Sequence, residues 1–425
     1  MTEVAKSSES RRSGPWAAVD FAVPLHEGVA KFRIGEIMRR WCTQSLGDQL
    51  SALILTGSLA RNEATWLRTS QGLTFLSDAE FIALLKTRND VPSADLVTLI
   101  CSGAEEELRN QGVVCKLSMG AVDESFLLNL GDTIFGHELV SCGEVLHGDH
   151  DILQRRMQAG APQVSEEDAW RLLANRTVEL LEIAPEMADG RESLSEAAQY
   201  RLTKLFCDMA TSLLVFKREF VPGYQSRSEK LASLSARDLL LDLPLDVAWF
   251  VDMVQRCTDY KILHSWDGPS PFAAPGSVQQ AVAALRSLWS WELAQMEGIA
   301  VAPPESLLRR HMQGQGLKER LRGWAFAARR RGVLDTMRHS LRWLRLLRSA
   351  SPRYCVYAAA LETVSSIEFL RREPAAVGVA EEAPKTANAR KWLPLPTPPE
   401  QPGRDQTVAE AVLWNYQEFL VETRA

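Results

Sequence analysis

A chain of 425 residues exceeds the roughly 100–200 of one ordinary domain, so two or three units are expected. Its 46% hydrophobic and 24% charged residues exclude a wholly disordered or fibrous chain. No apolar run approaches the ~20 residues that span a bilayer, and the opening MTEVAKSSESRRSGPW lacks a secretory apolar core, so a cytoplasmic protein without a membrane span is expected.

Residues 1–15 are polar and are expected to be disordered. The apolar spacing of Val29, Phe32, Ile37, Met38 and Trp41 predicts an amphipathic helix over 28–45. Leu50–Thr56 reads as a buried strand ending at Gly57, and Glu80–Leu85 as a second strand after Ser77-Asp78. A helix over 93–110, a strand over Val113–Met119, a helix over 125–141 and a short strand Glu144–His147 complete an α/β unit over 28–150. From 160 to 371 the periodicity is helical, including 166–184, 192–220, 228–240, 245–262, 277–297, 305–349 and 354–371. Residues 373–405, rich in Pro and Ala, read as a linker, and 406–425 as an amphipathic helix that docks back. The fold class is therefore α+β: a small mixed sheet with helices, then a mostly helical domain.

The net charge of −6 hides an asymmetry. Residues 305–353 carry 13 Lys or Arg against three acids, a local +10 that leaves −16 elsewhere. Solvated arginine-rich helix faces on an acidic body account for this. RNA through 305–353 stays an alternative, and duplex nucleic acid is not expected of so acidic a chain. Seven scattered cysteines without a C-x-x-C pair suggest neither zinc nor disulfides, and His147 and His150 flank a turn at Gly148-Asp149.

The informative stretch is LILTGSLARNEATW (53–66) followed by LSDAEFIALL (76–85). A strand ending at Gly57-Ser58 and opening a helix offers backbone N–H groups and a hydroxyl to a phosphate. Asp78 and Glu80, two apart on a strand, point to one face. Paired carboxylates repel unless a cation lies between them, and Mg²⁺, which takes carboxylates together with substrate phosphates, suits the pair.

At Gly57-Ser58, Ala60-Arg61 and Ser77-Asp78-Ala79-Glu80-Phe81 the chain resembles the DNA-polymerase-β-like nucleotidyltransferase superfamily, and Glu138–Asp149 is similar to the helix, Gly and strand that close its minimal bacterial and aminoglycoside-modifying members. The resemblance covers about 48–150. It implies transfer of a nucleoside monophosphate from Mg²⁺–NTP, with a two-metal site among the family's options, to a hydroxyl acceptor that stays open between small molecule, saccharide and protein. It also implies that Gly57, Ser58 and Arg61 meet the nucleotide, and that Asp78 and Glu80 hold metal. Two departures stand out. The spacer between Ser58 and Asp78 is long, which a hairpin around Arg68–Gly72 would absorb. The family's third carboxylate is missing from the strand Val113–Met119, leaving Asp123 as the candidate. By the same resemblance a helical domain would close the cleft, with Lys204, Lys230 and Tyr224 toward the nucleotide; Tyr200, Lys204 and Asp208 share a face at i, i+4, i+8. The alternative is a degenerate member of the fold acting as a nucleotide-binding or protein-interaction module.

Overall fold

Helix α1 (Glu27–Leu46) turns Ile34, Ile37 and Met38 inward and leads into strand β1 (Leu50–Thr56), an interior strand of the sheet. The computed structural model describes residues 26–69, 72–160, 163–189, 194–262, 270–274, 276–372, 384–396 and 407–419, so the expectation for 1–15 lies outside them. A single turn, α2 (Gly57–Ala60), is followed by β2 (Trp66–Thr69), which pairs antiparallel with the start of β3 (Gly72–Leu85) as the expected hairpin. After α3 (Ala94–Asn110), β4 (Val113–Asp123) runs parallel to β3. Then come α4 (Ser125–Leu128), α5 (Ile134–Cys142), β5 (Glu144–His147) and α6 (Ile152–Gln158).

The sheet is mixed. β2 and β1 pair in turn with one edge of β3, β4 takes its other edge, and β5 adds to β1 antiparallel. Alternation along β1 sends Leu53 and Leu55 to a core with α1 and α3, and Ala52 and Ile54 to a second core with α5 and α6. Two boundaries differ from expectation. β4 continues through Gly120 to Asp123 because β3 offers it a partner along that whole length, and the helix expected over 125–141 breaks at Asn129–Thr133.

The second unit is all helical: α7 (Glu166–Leu180), α8 (Ala184–Asp189), α9 (Glu196–Phe216), α10 (Tyr224–Ala236), α11 (Val247–Ile262), α12 (Ser277–Glu297) and α13 (Pro304–Gly314). Then follow α14 (Leu317–Leu347), kinked at Gly332 where φ is +79°, and α15 (Pro352–Arg372). Its core centres on aromatic contacts: Trp170 of α7 stacks on Tyr354 of α15 at 5.6 Å and meets Trp289 of α12 at 5.2 Å. Rings of this size dominate core energetics.

The linker expected over 373–405 is corrected in its described part. Residues Pro384–Trp392 form α16, and Ala389, Leu393 and Leu395 are buried. The signal was polar bonding rather than periodicity. Asn415 of α17 (Val408–Phe419) donates to the Leu395 carbonyl at 2.9 Å and accepts from its N–H at 2.8 Å, and Trp343 Nε1 donates to the Pro394 carbonyl at 3.1 Å. Of the helix expected over 406–425, the described part is α17, which buries Ala411, Val412 and Phe419. Among the described residues no helix is long and apolar enough to cross a membrane.

One buried acid sits inside the helical core. Glu292 of α12 is 0% exposed, and burial pushes its carboxyl up to about 8 against a smaller opposing pull from Ser212. The folded state therefore retains a proton that the unfolded chain sheds near pH 4.5, so stability falls as pH rises from about 4.5 to 8. Glu292→Gln removes that slope. In denaturant titrations the variant is expected to match the parent near pH 4 and exceed it by roughly 3 kcal/mol at pH 7; an equal difference at both pH values would refute the assignment.

Candidate functional site

A cleft of about 770 Å³ opens between the sheet and the helical unit. Gly57 and Ser58 at the end of β1, with Asp78 and Glu80 of β3, form one wall. Tyr200 and Lys204 of α9, Tyr224 of α10 and Lys261 of α11 form the facing one. Most of the expected residues thus meet in one place.

The sheet wall is built by strand register. Thr56 pairs with Glu80 across the antiparallel ladder, which sets the Glu80 carboxylate against Gly57. Gly57 has φ +71°, and a Cβ there would lie 2.7 Å from Glu80 Oε2, so only glycine fits this turn. Because α2 is a single turn, its dipole adds little, and attraction for an anion has to come from side chains.

On the adjacent strand, Asp78 faces Lys116 and Glu80 faces Ser118. Lys116 Nζ lies 3.6 Å from Asp78 Oδ2, with side chains 74% and 43% exposed, so the pair is weak and readily exchanged for another cation. Among the described residues no group of three or more His, Cys, Asp or Glu side chains is arranged to hold a metal ion. Two carboxylates fit one Mg²⁺ that completes its shell with phosphate oxygens and water. They do not fit two ions, since the neighbouring strand supplies an ammonium and a hydroxyl where a further carboxylate would be needed.

Asp123 does not complete the site. It pairs with Leu85, seven positions along β3 from Asp78, or about 23 Å at strand rise, and its carboxylate accepts from the Ser125 N–H at 2.9 Å. Lys230 is also elsewhere, bonded to Glu219 at 2.7 Å. Two three-residue steps from Tyr224 fall about 120° short of full helical turns, which points Lys230 away from the face that Tyr224 presents.

Arg61 reaches the cleft, but its guanidinium is committed. It donates to Glu63 at 2.9 Å and to Glu138 of α5 at 2.8 Å. Arg227 of α10 donates to the other oxygen of Glu138, and to Thr211 Oγ1 at 3.0 Å. Burial opposes the Glu138 charge, but the Arg227 and Arg61 guanidiniums outweigh it and hold the carboxyl below its usual range. Arg176 of α7 is likewise spent on Asp208, at 2.8 Å.

The lysines differ. Lys204 makes no hydrogen bond or ion pair among the described residues; its Nζ lies 5.7 Å from the Tyr200 ring, and the Arg176 charge, aided by burial, lowers its pKa. Lys261, 2% exposed, donates among the described residues only to Thr65 Oγ1, at 3.2 Å, and sits 5.5 and 5.3 Å from the Tyr200 and Tyr224 rings. Burial brings it down to about 8, so it still carries most of its charge at neutral pH. A cation held at a cost by its neighbours gains most when an anion arrives.

Sequence reasoning missed Lys261, Arg176 and the role of Glu138. Lys261 had a signal: it continues the stripe Phe250, Val254, Cys257 at the next helical step, a charge on an apolar face.

Glu138→Gln leaves Arg61 and Arg227 without the carboxylate between them. It is expected to destabilise the fold by about 3 kcal/mol in urea unfolding, and a loss below about 0.5 kcal/mol, ordinary for surface substitutions, would show that the bridge is not a structural tie. No protein-family model matches this chain, and no curated protein matches it.

Proposed function

We propose that this protein is a nucleotidyltransferase of the DNA-polymerase-β-like kind, which takes Mg²⁺–nucleoside triphosphate into the cleft and passes the nucleoside monophosphate to a hydroxyl acceptor, releasing pyrophosphate. The observation that carries the reading is the pairing of walls. Gly57, Ser58, Asp78 and Glu80 face Lys204 and Lys261, cations with no carboxylate of their own within ion-pair distance among the described residues.

In this reading Asp78 and Glu80 hold one Mg²⁺, which neutralises charge on the phosphates. Lys204 and Lys261 bind the outer phosphates, and the Ser58 hydroxyl donates to a phosphate oxygen. The Cβ-free turn at Gly57 lets the backbone approach closely. Tyr200 and Tyr224, already flanked by cations, offer ring faces that border the nucleotide. Positioning and charge are what phosphoryl transfer chiefly demands of a protein.

A second reading rests on Lys116 and Ser118. With those residues beside the carboxylates, the cleft suits a nucleotide-binding module that does not transfer. Titration calorimetry with ATP, GTP, CTP and UTP, with and without Mg²⁺, tests both. At least one nucleotide is expected to bind only with Mg²⁺, and Asp78→Asn/Glu80→Gln is expected to weaken it at least tenfold. Pyrophosphate release in an acceptor screen then separates transfer from binding alone. Binding that ignores Mg²⁺ and the double substitution refutes the metal assignment.

A further inference from the structure

A second cleft, of about 550 Å³, shares α7 and α17 with the first: Arg171 of α7 and Glu418 and Phe419 of α17 line it, whereas Arg176, Tyr416 and Gln417 of the same helices line the other. Its volume lies within the roughly 300–1,000 Å³ of small-molecule sites. Two independent features there favour an anion. The first turn of the 21-residue helix α15, Pro352 to Tyr354, opens into it, presenting the Arg353 and Tyr354 N–H groups, which have no intrahelical acceptor, and the positive end of a long dipole. Five arginines, at 171, 322, 330, 331 and 353, line the same space.

The two carboxylates present do not cancel this charge. Glu418 is bonded by Arg331. Glu319 lies 3.7 Å from Arg171, which also pairs with Glu167 at 2.7 Å. Arg322 and Arg353 make no hydrogen bond or ion pair among the described residues, although Arg353 is half-buried in the first turn of α15. The Arg353 charge acts on the Asp168 carboxyl without a direct ion pair, so the guanidinium forks of Arg322 and Arg353 beside a helix N-terminus suit a group with more than a single negative charge, and the guanidinium fork matches phosphate oxygens in pairs.

We propose that this second cleft binds a phosphorylated ligand: Arg322, Arg353 and the first turn of α15 take the phosphate, and Phe326, 53% exposed at the rim, covers the organic part. The phosphate can belong to a small organic molecule or to an RNA backbone following the arginines of α14. This site does not depend on the nucleotidyltransferase reading, because none of its residues line the first cleft.

The test is titration calorimetry on the full chain in EDTA, with AMP and inorganic pyrophosphate in one arm and oligouridylate in the other. Arg322→Ala/Arg353→Ala is expected to weaken binding at least tenfold, while Lys204→Ala/Lys261→Ala, in the first cleft, changes it less than twofold. Loss of AMP or pyrophosphate binding in the arginine variant assigns a small phosphate; loss of oligouridylate binding alone assigns an RNA backbone. The proposal is overturned if no probe binds, if the arginine variant binds as the parent does, or if only the lysine variant loses binding. Arg322→Glu, a single change at an exposed position, repeats the test should the double variant melt early.

Discussion

The Glu138 carboxylate, held between Arg61 of the sheet unit and Arg227 of the helical unit, is the contact on which the cleft depends. A carboxylate this buried survives as a charge only with cations and hydrogen bonds around it, so the two units cannot slide without stranding one of the three groups. Around this tie, Glu63 accepts from the Gln225 N–H at 3.2 Å, and the Thr65 hydroxyl donates to the Lys261 carbonyl at 3.1 Å. Each bond joins a residue before 70 to one beyond 220. The spacing between the carboxylates of β3 and the lysines of α9 and α11 is therefore set by a polar seam.

That seam explains which residues were legible beforehand. Elements whose order follows from burial against one neighbour, such as β1 with its alternation or α1 with its apolar stripe, appear in the chain as period. Gly57, Ser58, Asp78 and Glu80 were legible because local backbone geometry alone places them on one wall. Asp123 failed for a reason that local reasoning cannot reach. Gly120 looked like the end of a strand, but pairing with the long β3 carried β4 three residues further and left Asp123 at the wrong end of the sheet. Residues 384–396 failed similarly, because bonds from Asn415, Arg342 and Trp343 supply what their own composition lacks.

Charge pairing was the least legible level. The chain shows that Arg61, Lys204 and Tyr224 exist but not which of them a carboxylate claims, and that decides which can meet a ligand. Arg61 sat in the recognisable motif, yet Glu63 and Glu138 take its donors. Lys261 sat in no motif, yet it faces the cleft and donates to a hydroxyl rather than to a carboxylate among the described residues.

The division between the two cation types follows from their chemistry. A guanidinium offers five donors in a plane and stays charged under any burial, so Arg61, Arg176 and Arg227 can each join several acceptors and knit helices to sheet. An ammonium is a point charge whose proton responds to its surroundings, so a lysine left near Arg176 or between tyrosine rings is held at a cost that an incoming anion relieves. The nearly balanced set of acids and bases around the first cleft is therefore not electrically neutral in effect. On the helical side Glu179, Glu182 and Asp208 are paired with Arg176 and Arg201, and Lys204 and Lys261 face the carboxylates of β3 across the gap. A dianionic or trianionic group, bridged to Asp78 and Glu80 by a divalent cation, would answer the charge of both walls at once, which a neutral ligand would not do.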